Sequence, residues 1–165
     1  MSRTALITGS SRGIGRATAD EFAKRNYNVV INYASSKEKA ENLSSELEKK
    51  YGIKAIAAKA DLSKEDEVRS LAEQALGKFG KVDVLVNNAG IALYSEVSEK
   101  TSADWALSMQ TNLIAPFMLS RILGAEMVKN KYGKIINIAS IDAICTYNAQ
   151  SMEYDASKAA LINMT

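Results

Sequence analysis

The sequence contains no histidine, and it has only one cysteine and one proline in 165 residues. The absence of histidine excludes Ser-His and Cys-His nucleophilic chemistry together with the commonest metal ligand. A lone cysteine, Cys145, excludes an intramolecular disulfide, and no Cys-x-x-Cys spacing indicates a metal or redox centre. We therefore expect no metal site, an inert Cys145 thiol and a general acid of another residue type.

An excess of charge of one sign is also lacking, because 21 Lys and Arg face 19 Asp and Glu, a net charge of +2. This balance gives no electrostatic case for a nucleic acid or membrane partner. No stretch approaches the roughly 18 apolar residues of a membrane span, and the N-terminal apolar run is too short for a signal peptide. With 47% hydrophobic and 24% charged residues, we expect one cytoplasmic globular domain over residues 1–165.

Short runs rich in Val and Ile alternate with longer amphipathic stretches, which predicts strand-helix units around a parallel sheet in an α/β fold. The predicted strands are residues 4–8, 28–33, 54–59, 82–87 and 134–139. The predicted helices are residues 14–25, 37–51, 64–79 and 102–131, with a last one starting near Met152. Pro116 lies inside the fourth helical pattern, so we expect a kink there or two separate helices.

Several predicted helix ends carry capping signals. A serine or threonine followed three residues later by an acid predicts a capped N-terminus, and this spacing joins Ser35 to Glu38, Ser63 to Asp66 and Thr101 to Asp104. Glycine near a helix C-terminus predicts a left-handed end, and the candidates are Gly52, Gly77, Gly80 and Gly133.

A glycine-rich loop follows the first strand directly and opens a helix, the setting in which backbone N–H groups approach a pyrophosphate. The candidate cofactor-binding residues in this loop are Gly9, Ser11, Arg12, Gly13, Ile14 and Gly15. The spacing Gly-x-x-x-Gly-x-Gly differs from the standard dinucleotide fingerprint and lacks the ending of a P-loop, which disfavours triphosphate hydrolysis. The alternative is that these glycines only make a tight strand-to-helix turn.

The end of the second strand carries no acid, although folds that prefer NAD usually place one there to bind the ribose hydroxyls. The segment contains Asn32 and Tyr33 instead, which we take as candidate cofactor contacts. The planar guanidinium of Arg12 can pair with a 2′-phosphate. These features favour NADP(H) over NAD(H); the alternative is that Arg12 is a solvated residue at a helix start.

Two further segments end predicted strands at the same edge of the sheet. Asp61, with Leu62 beside it, can accept a hydrogen bond from an adenine amino group, or it can belong to a helix-entry turn. The run Asn88, Ala89 and Gly90 follows the fourth strand, where its polar groups can border a cofactor, brace neighbouring strands, or do both.

Four side chains are candidates for catalysis. Tyr154 and Lys158 are four positions apart, which places both on one face of a helix, where a lysine ammonium favours the phenolate of a tyrosine. Ser140 lies just past the fifth strand and can polarise a substrate carbonyl, or it is a turn residue. Asn112 lies in mid-helix, where a buried asparagine needs hydrogen-bond partners such as an ordered water.

These motifs, taken in order, resemble the classical short-chain dehydrogenase/reductase family, and most of all its 3-oxoacyl-[acyl-carrier-protein] reductase branch. The family's Thr-Gly-x-x-x-Gly-x-Gly matches residues 8–15, its Asn-Asn-Ala-Gly matches residues 87–90, and its Tyr-x-x-x-Lys matches residues 154–158. The resemblance implies a Rossmann-type doubly wound sheet with strand order 3-2-1-4-5 and helices on both faces. It also implies further C-terminal strands that this chain lacks, which would leave the fifth strand as an uncovered sheet edge.

The resemblance further implies a role for each candidate. Tyr154 would be the acid/base, Lys158 would assist it and hold the nicotinamide ribose, Ser140 would steady the carbonyl, and Asn112 would hold a relay water. The substrate would be a carbonyl compound such as a 3-oxoacyl thioester, and the full-length protein would be a homodimer or homotetramer. The alternatives are a sugar or small-alcohol dehydrogenase of the same family, and a nucleotide-binding module with little catalytic activity.

Overall fold

Five parallel strands form one sheet in the computed structural model, which describes residues 2–146 and 148–165. The strands are β1 (Thr4–Ile7), β2 (Asn28–Tyr33), β3 (Ala55–Lys59), β4 (Val84–Asn87) and β5 (Lys134–Asn137). Their order is β3-β2-β1-β4-β5, and every neighbouring pair is parallel. The predicted strand order is confirmed, and the predicted strand ends differ from the structure by at most two residues.

Six α-helices occur in the described part of the chain. They are α1 (Gly13–Lys24), α2 (Lys37–Tyr51), α3 (Glu65–Phe79), α4 (Ser102–Met109), α5 (Ala115–Lys129) and α6 (Met152–Met164). Helices α1 and α2 cover one face of the sheet, and α3 and α5 cover the other. The central strands are buried on both faces, which explains their continuous apolar sequences. The predicted doubly wound arrangement with helices on both faces is confirmed.

The predicted helix over residues 102–131 is two helices, as the position of Pro116 suggested. A π-helical segment, Gln110–Ile114, separates α4 from α5, and Pro116 lies in the first turn of α5. Proline has no backbone N–H, so the carbonyl of Asn112, four residues earlier, lacks its ordinary helical donor. The wider π turn accommodates this interruption.

Only one of the three predicted N-terminal capping pairs forms. The Thr101 hydroxyl accepts from the backbone of Asp104, whose carboxylate accepts in return from the Thr101 backbone. Helix α2 is instead preceded by Ser36, and α3 by Lys64, and neither makes a side-chain cap. The predictions for Ser35 and Ser63 were therefore wrong; Ser63 bonds to Asp61, which competes for its hydroxyl.

The glycine predictions at helix C-termini were correct at two positions. Gly52 and Gly80 adopt positive φ angles of 69° and 73° directly after α2 and α3. Gly77 lies inside α3, and the positive φ after α5 belongs to Lys131 rather than Gly133. The predicted end of α3 at residue 79 is correct, so Gly77 lies two residues inside the helix, whereas α5 ends at Lys129, two residues before the predicted end.

Strand β5 forms the outer edge of the sheet within the described residues, as expected. Its Ile135 and Ile136 side chains are 39% and 42% exposed, whereas the strands at the centre of the sheet are buried. None of the helices in residues 2–146 and 148–165 combines the length and the apolar composition needed to cross a membrane.

Candidate active site

A cleft of about 720 Å³ lies along the carboxyl ends of the first four strands. It is lined by all thirteen candidate cofactor residues from the end of β2 and from the loops after β1, β3 and β4, namely Gly9, Ser11, Arg12, Gly13, Ile14, Gly15, Asn32, Tyr33, Asp61, Leu62, Asn88, Ala89 and Gly90. A cavity of similar size at the opposite edge is lined by Lys54, Lys78 and Lys81 but by none of these residues. Parallel sheets bind ligands at their carboxyl edge, so the first cleft is the candidate site.

The glycine loop is shaped by close backbone contacts. Gly9 has a φ of 61°, and its N–H donates to the Asn32 side-chain oxygen at 3.0 Å. A Cβ on Gly15 would lie only 2.7 Å from the Gly9 carbonyl oxygen and 2.8 Å from the Ser10 Cα. Only glycine therefore allows the first turn of α1 to pack this tightly on the loop.

Asn32 acts as a brace behind this loop. Its side-chain oxygen accepts from Gly9, and its amide nitrogen donates to the carbonyl oxygen of Ala60 at 3.1 Å. The Asn32 backbone also bonds with Ser10 through both its N–H and its carbonyl. The side chain is buried, so Asn32 borders the cleft while it ties β2 and β3 to the loop.

The end of the cleft beyond β2 is polar. Arg12 is exposed directly before α1, and Tyr33 is buried at the end of β2. Ser35 and Ser36 line the same cleft just before α2 begins. The sequence predictions had treated Ser35 only as a helix cap and had not identified Ser36, although two hydroxyls after a β2 without an acid are a usable signal.

Asp61 lies in a helix-entry turn, one of the two alternatives that the sequence left open. The Ser63 hydroxyl and backbone N–H donate to its carboxylate at 2.7 and 3.0 Å, and they hold the pKa of Asp61 below its usual range. The Asp61 backbone N–H donates to Glu67 at 2.7 Å. Leu62 belongs to the hydrophobic core as well as to the cleft wall.

The segment after β4 braces neighbouring strands and also borders the cleft. The Asn88 side chain donates to the Thr8 carbonyl at 2.8 Å, and the Thr8 hydroxyl accepts from the N–H groups of Asn88 and Ala89. The Asn87 side chain donates to Asn137 on β5 at 2.8 Å. These bonds join β1, β4 and β5 at the edge of the sheet where the cleft opens.

Asn112 is fully buried and binds the segment after β4 through its side chain. Its oxygen accepts from the Ile91 N–H at 2.9 Å, and its nitrogen donates to the Ile91 carbonyl at 2.9 Å. The same nitrogen lies 2.9 Å from the hydroxyl of Ser157 on α6. The side chain therefore connects the π-helical segment, the cleft wall and α6, while its backbone carbonyl cannot accept from residue 116, because proline has no N–H.

Tyr154 and Lys158 lie one turn apart on α6, on one face as predicted. The Lys158 ammonium lies 5.8 Å from the centroid of the Tyr154 ring and donates to the Ile138 carbonyl oxygen at 2.7 Å. Burial lowers the pKa of Lys158. Although neither side chain lines the main cleft, a Cβ on Gly90 would be 3.4 Å from the Lys158 nitrogen, so the cleft and α6 meet at Gly90.

Ser140 lies three residues beyond the end of β5, at the carboxyl edge of the sheet. Its hydroxyl accepts from the Asp142 N–H and donates to the Asp142 carboxylate, both at 3.2 Å. Ser140 therefore begins a short 3₁₀ turn, Ile141–Ala143, against which α6 packs. This contact brings the turn containing Ser140 to the helix that carries Tyr154.

Comparison with known proteins agrees with this geometry. A family profile described as short chain dehydrogenase matches residues 3–165. The 3-oxoacyl-[acyl-carrier-protein] reductase FabG of Staphylococcus epidermidis is 39% identical over all 165 residues of this chain, which cover 67% of that relative. A 3-oxoacyl-[acyl-carrier-protein] reductase of Synechocystis sp. is 39% identical over 99% of this chain and 65% of its own length.

Solved structures give the same relationship. A blue fluorescent protein from a metagenomic library, in complex with NADPH, has a TM-score of 0.92 and 41% identity over 99% of this chain and 66% of that chain. The L-sorbose reductase of Gluconobacter frateurii, complexed with NADPH and L-sorbose, has a TM-score of 0.93 and 30% identity over 99% of this chain and 61% of that chain. The chain thus spans about two thirds of the length of its relatives. It belongs to the short-chain dehydrogenase family of NAD(P)-dependent oxidoreductases.

Proposed function

We propose that this chain carries the cofactor site and catalytic residues of an NADPH-dependent carbonyl reductase. The observation that carries the proposal is the meeting, at Gly90, of a cleft suited to a dinucleotide and the helix face bearing Tyr154 and Lys158. A cleft of about 720 Å³ falls in the size range of small-molecule sites.

The cleft fits a dinucleotide on structural grounds. Because Gly9 and Gly15 have no Cβ, the loop packs closely against the first turn of α1 and against Ala89. The first N–H groups of α1 can then face a pyrophosphate. When bound, the cofactor supplies a hydride for the substrate carbonyl carbon. The chain's own groups would then supply position and the proton.

Each catalytic candidate has a distinct part in this proposal. The Tyr154 hydroxyl gives its proton to the carbonyl oxygen, and the Lys158 ammonium stabilises the phenolate that remains. The Ser140 hydroxyl donates to the same carbonyl oxygen after turning away from Asp142. The Asn112 carbonyl accepts from a water that returns a proton towards Lys158.

The preference for NADP(H) is supported by the polar end of the cleft. Arg12, Ser35 and Ser36 all line it, and β2 ends without an acid that would repel a 2′-phosphate. A charge-assisted hydrogen bond contributes about 1.5–3 kcal/mol, so we expect Arg12→Ala to weaken NADPH binding by roughly 10-fold or more. NADH binding, measured by the same fluorescence titration, should change less than about threefold; an equal loss for both cofactors would reject this role for Arg12.

The substrate that we propose is a 3-oxoacyl thioester, because the relatives from Staphylococcus epidermidis and Synechocystis sp. are 3-oxoacyl-[acyl-carrier-protein] reductases. A second candidate is a sugar, since the L-sorbose reductase of Gluconobacter frateurii has a similar fold over this region. NADPH oxidation by the purified protein should be compared with a short 3-oxoacyl thioester and with L-sorbose.

Tyr154→Phe is the decisive variant for this assay. We expect it to lose turnover by at least about 100-fold, within the range for a general acid, while it keeps its NADPH affinity. The matched control is Tyr132→Phe, because the Tyr132 ring stacks against Arg3 and lines a different cavity. Turnover that persists in Tyr154→Phe would reject the mechanism, and NADPH binding without turnover on either substrate would favour a nucleotide-binding module.

A further inference from the structure

The chain segment between β4 and α4 leaves the sheet, yet alternate residues in it have both backbone groups bound by side chains. Ile91 is bound by the Asn112 amide. Two residues on, the Leu93 N–H donates to Glu153 at 3.3 Å, and the Leu93 carbonyl accepts from the Lys100 ammonium. Backbone groups away from a sheet need such partners when they are shielded from water. Side chains thus supply the backbone hydrogen bonds that a neighbouring strand supplies within a sheet.

Lys100 and Glu153 form an ion pair that is withdrawn from solvent. The Lys100 nitrogen lies 2.9 and 2.8 Å from the two Glu153 carboxylate oxygens, and the side chains are 3% and 0% exposed. The ammonium donates to one Glu153 oxygen and to the Leu93 carbonyl, whereas the second Glu153 oxygen lies at ion-pair distance without a hydrogen bond of its own. A buried ion pair rarely adds net stability over apolar side chains of the same volume. Its stability contribution alone does not account for the pair.

The position of Glu153 on α6 indicates what the pair does. Glu153 and Ser157 are one helical turn apart on the same face, and each is bound from outside the helix, Glu153 by Lys100 and Ser157 by Asn112. Tyr154 and Lys158 follow them directly and occupy the adjacent face, about 100° around the axis. Two attachment points four residues apart fix both the rotation of α6 about its axis and its position along that axis.

We propose that the Lys100–Glu153 ion pair is a positioning element for Tyr154. It holds Leu93 and the first turn of α6 in register, and this sets the position of the Tyr154 hydroxyl relative to the cleft. Leu93 itself lines the cleft, so the pair also joins α6 to the cleft wall. The inference rests on the proposed reductase function, because Tyr154 must be the proton donor for its position to affect the rate.

The test uses two double variants of equal side-chain length in the otherwise unchanged protein. Lys100→Met with Glu153→Met removes both charges and every hydrogen bond to Leu93, whereas Lys100→Gln with Glu153→Gln removes the charges but keeps a donor at 100 and an acceptor at 153. Single substitutions are avoided because each would leave a buried charge without its partner.

We expect the double methionine variant to keep a folded structure and to bind NADPH within about threefold of wild type. Its kcat should fall roughly 10- to 100-fold, as small displacements of catalytic groups do, while the KM for NADPH changes little. The double glutamine variant should recover most of the lost kcat. A methionine variant with wild-type kcat, or a folded glutamine variant that recovers nothing, would overturn the proposal.

Amide hydrogen exchange at Leu93 gives a readout that needs no turnover. Exchange should be about 5- to 10-fold faster in the methionine variant than in wild type, and close to wild type in the glutamine variant. Equal exchange in all three proteins would overturn the proposed attachment even where the reductase activity is intact. Absence of activity in the wild-type protein, with exchange as expected, would reject the reductase function instead.

Discussion

Gly15 offers the sharpest test of how the glycine loop is built. Alanine at this position would place a Cβ 2.6 Å from the Asn88 side-chain nitrogen, 2.7 Å from the Gly9 carbonyl oxygen and 2.8 Å from the Ser10 Cα. Two of these atoms belong to the backbone and cannot rotate away. The Asn88 side chain is also held by its bond to the Thr8 carbonyl at 2.8 Å. The loop must therefore move away from α1.

The size of the effect follows from these contacts. Overpacking a well-packed site costs about 1–3 kcal/mol, and for a chain of this length each kcal/mol lowers Tm by roughly 2–4 °C. We expect Gly15→Ala to lower Tm by several degrees. NADPH affinity should fall by at least about 10-fold, because a loop displaced by a few tenths of an ångström no longer presents its N–H groups to the pyrophosphate.

Gly77→Ala is the matched control in urea unfolding and in NADPH fluorescence titration. Gly77 lies within α3, and a Cβ there would meet no atom within 4 Å. Alanine has the higher helix propensity, so we expect a gain of about 1 kcal/mol in the free energy of unfolding and no change in NADPH affinity. A Gly15→Ala protein with wild-type Tm and wild-type NADPH affinity would refute the close-packing explanation.

Two further predictions concern ionisation. Ser63→Ala removes the main cause of the low pKa of Asp61, which should rise towards 3.8 in an NMR titration; an unchanged pKa would contradict the assigned turn. Because the folded state lowers this pKa, Asp61 stabilises the fold above its unfolded pKa, and the contribution is lost as pH falls through the folded value. Burial lowers the pKa of Lys158, so between that lowered value and 10.5 the unfolded chain binds more protons and stability rises with pH. The free energy of unfolding of wild type relative to Lys158→Met should therefore increase with pH over this window in urea titrations, and a flat difference would contradict it.

The strands could be predicted because their sequences have one dominant cause. A strand covered by helices on both faces must be mainly apolar, and the runs that become β1, β2 and β4 show this, with Asn32 as the polar exception inside β2. Local polar signals were less reliable because they have several possible partners. Ser63 has the spacing of a helix cap, yet its hydroxyl donates to Asp61 two residues earlier. Competition of this kind between short-range hydrogen bonds is not visible in spacing alone.

The candidate cleft residues could be placed from motifs because the carboxyl ends of parallel strands share one edge of the sheet. The function of each residue within the cleft was harder to predict. Asn32 was expected to contact the cofactor, and the structure shows its amide bound to Gly9 and Ala60. Sequence position predicts which groups reach the edge, whereas the direction of each hydrogen bond depends on the neighbouring strand.

The two side-chain attachments of the segment after β4 differ in how visible they are in the sequence. Asn112 lies in mid-helix, where an asparagine is unfavourable, and this signals a tertiary partner. Glu153 lies in the first turn of α6, where an acid already favours the helix dipole, so its sequence gives no reason to expect a buried ion pair. Lys100 is 53 residues away and precedes a capped helix, where a solvated lysine is ordinary. The pair forms only because α6 packs on the segment after β4. Substituting it therefore tests how the tertiary structure positions α6, which the local sequence around either residue does not predict.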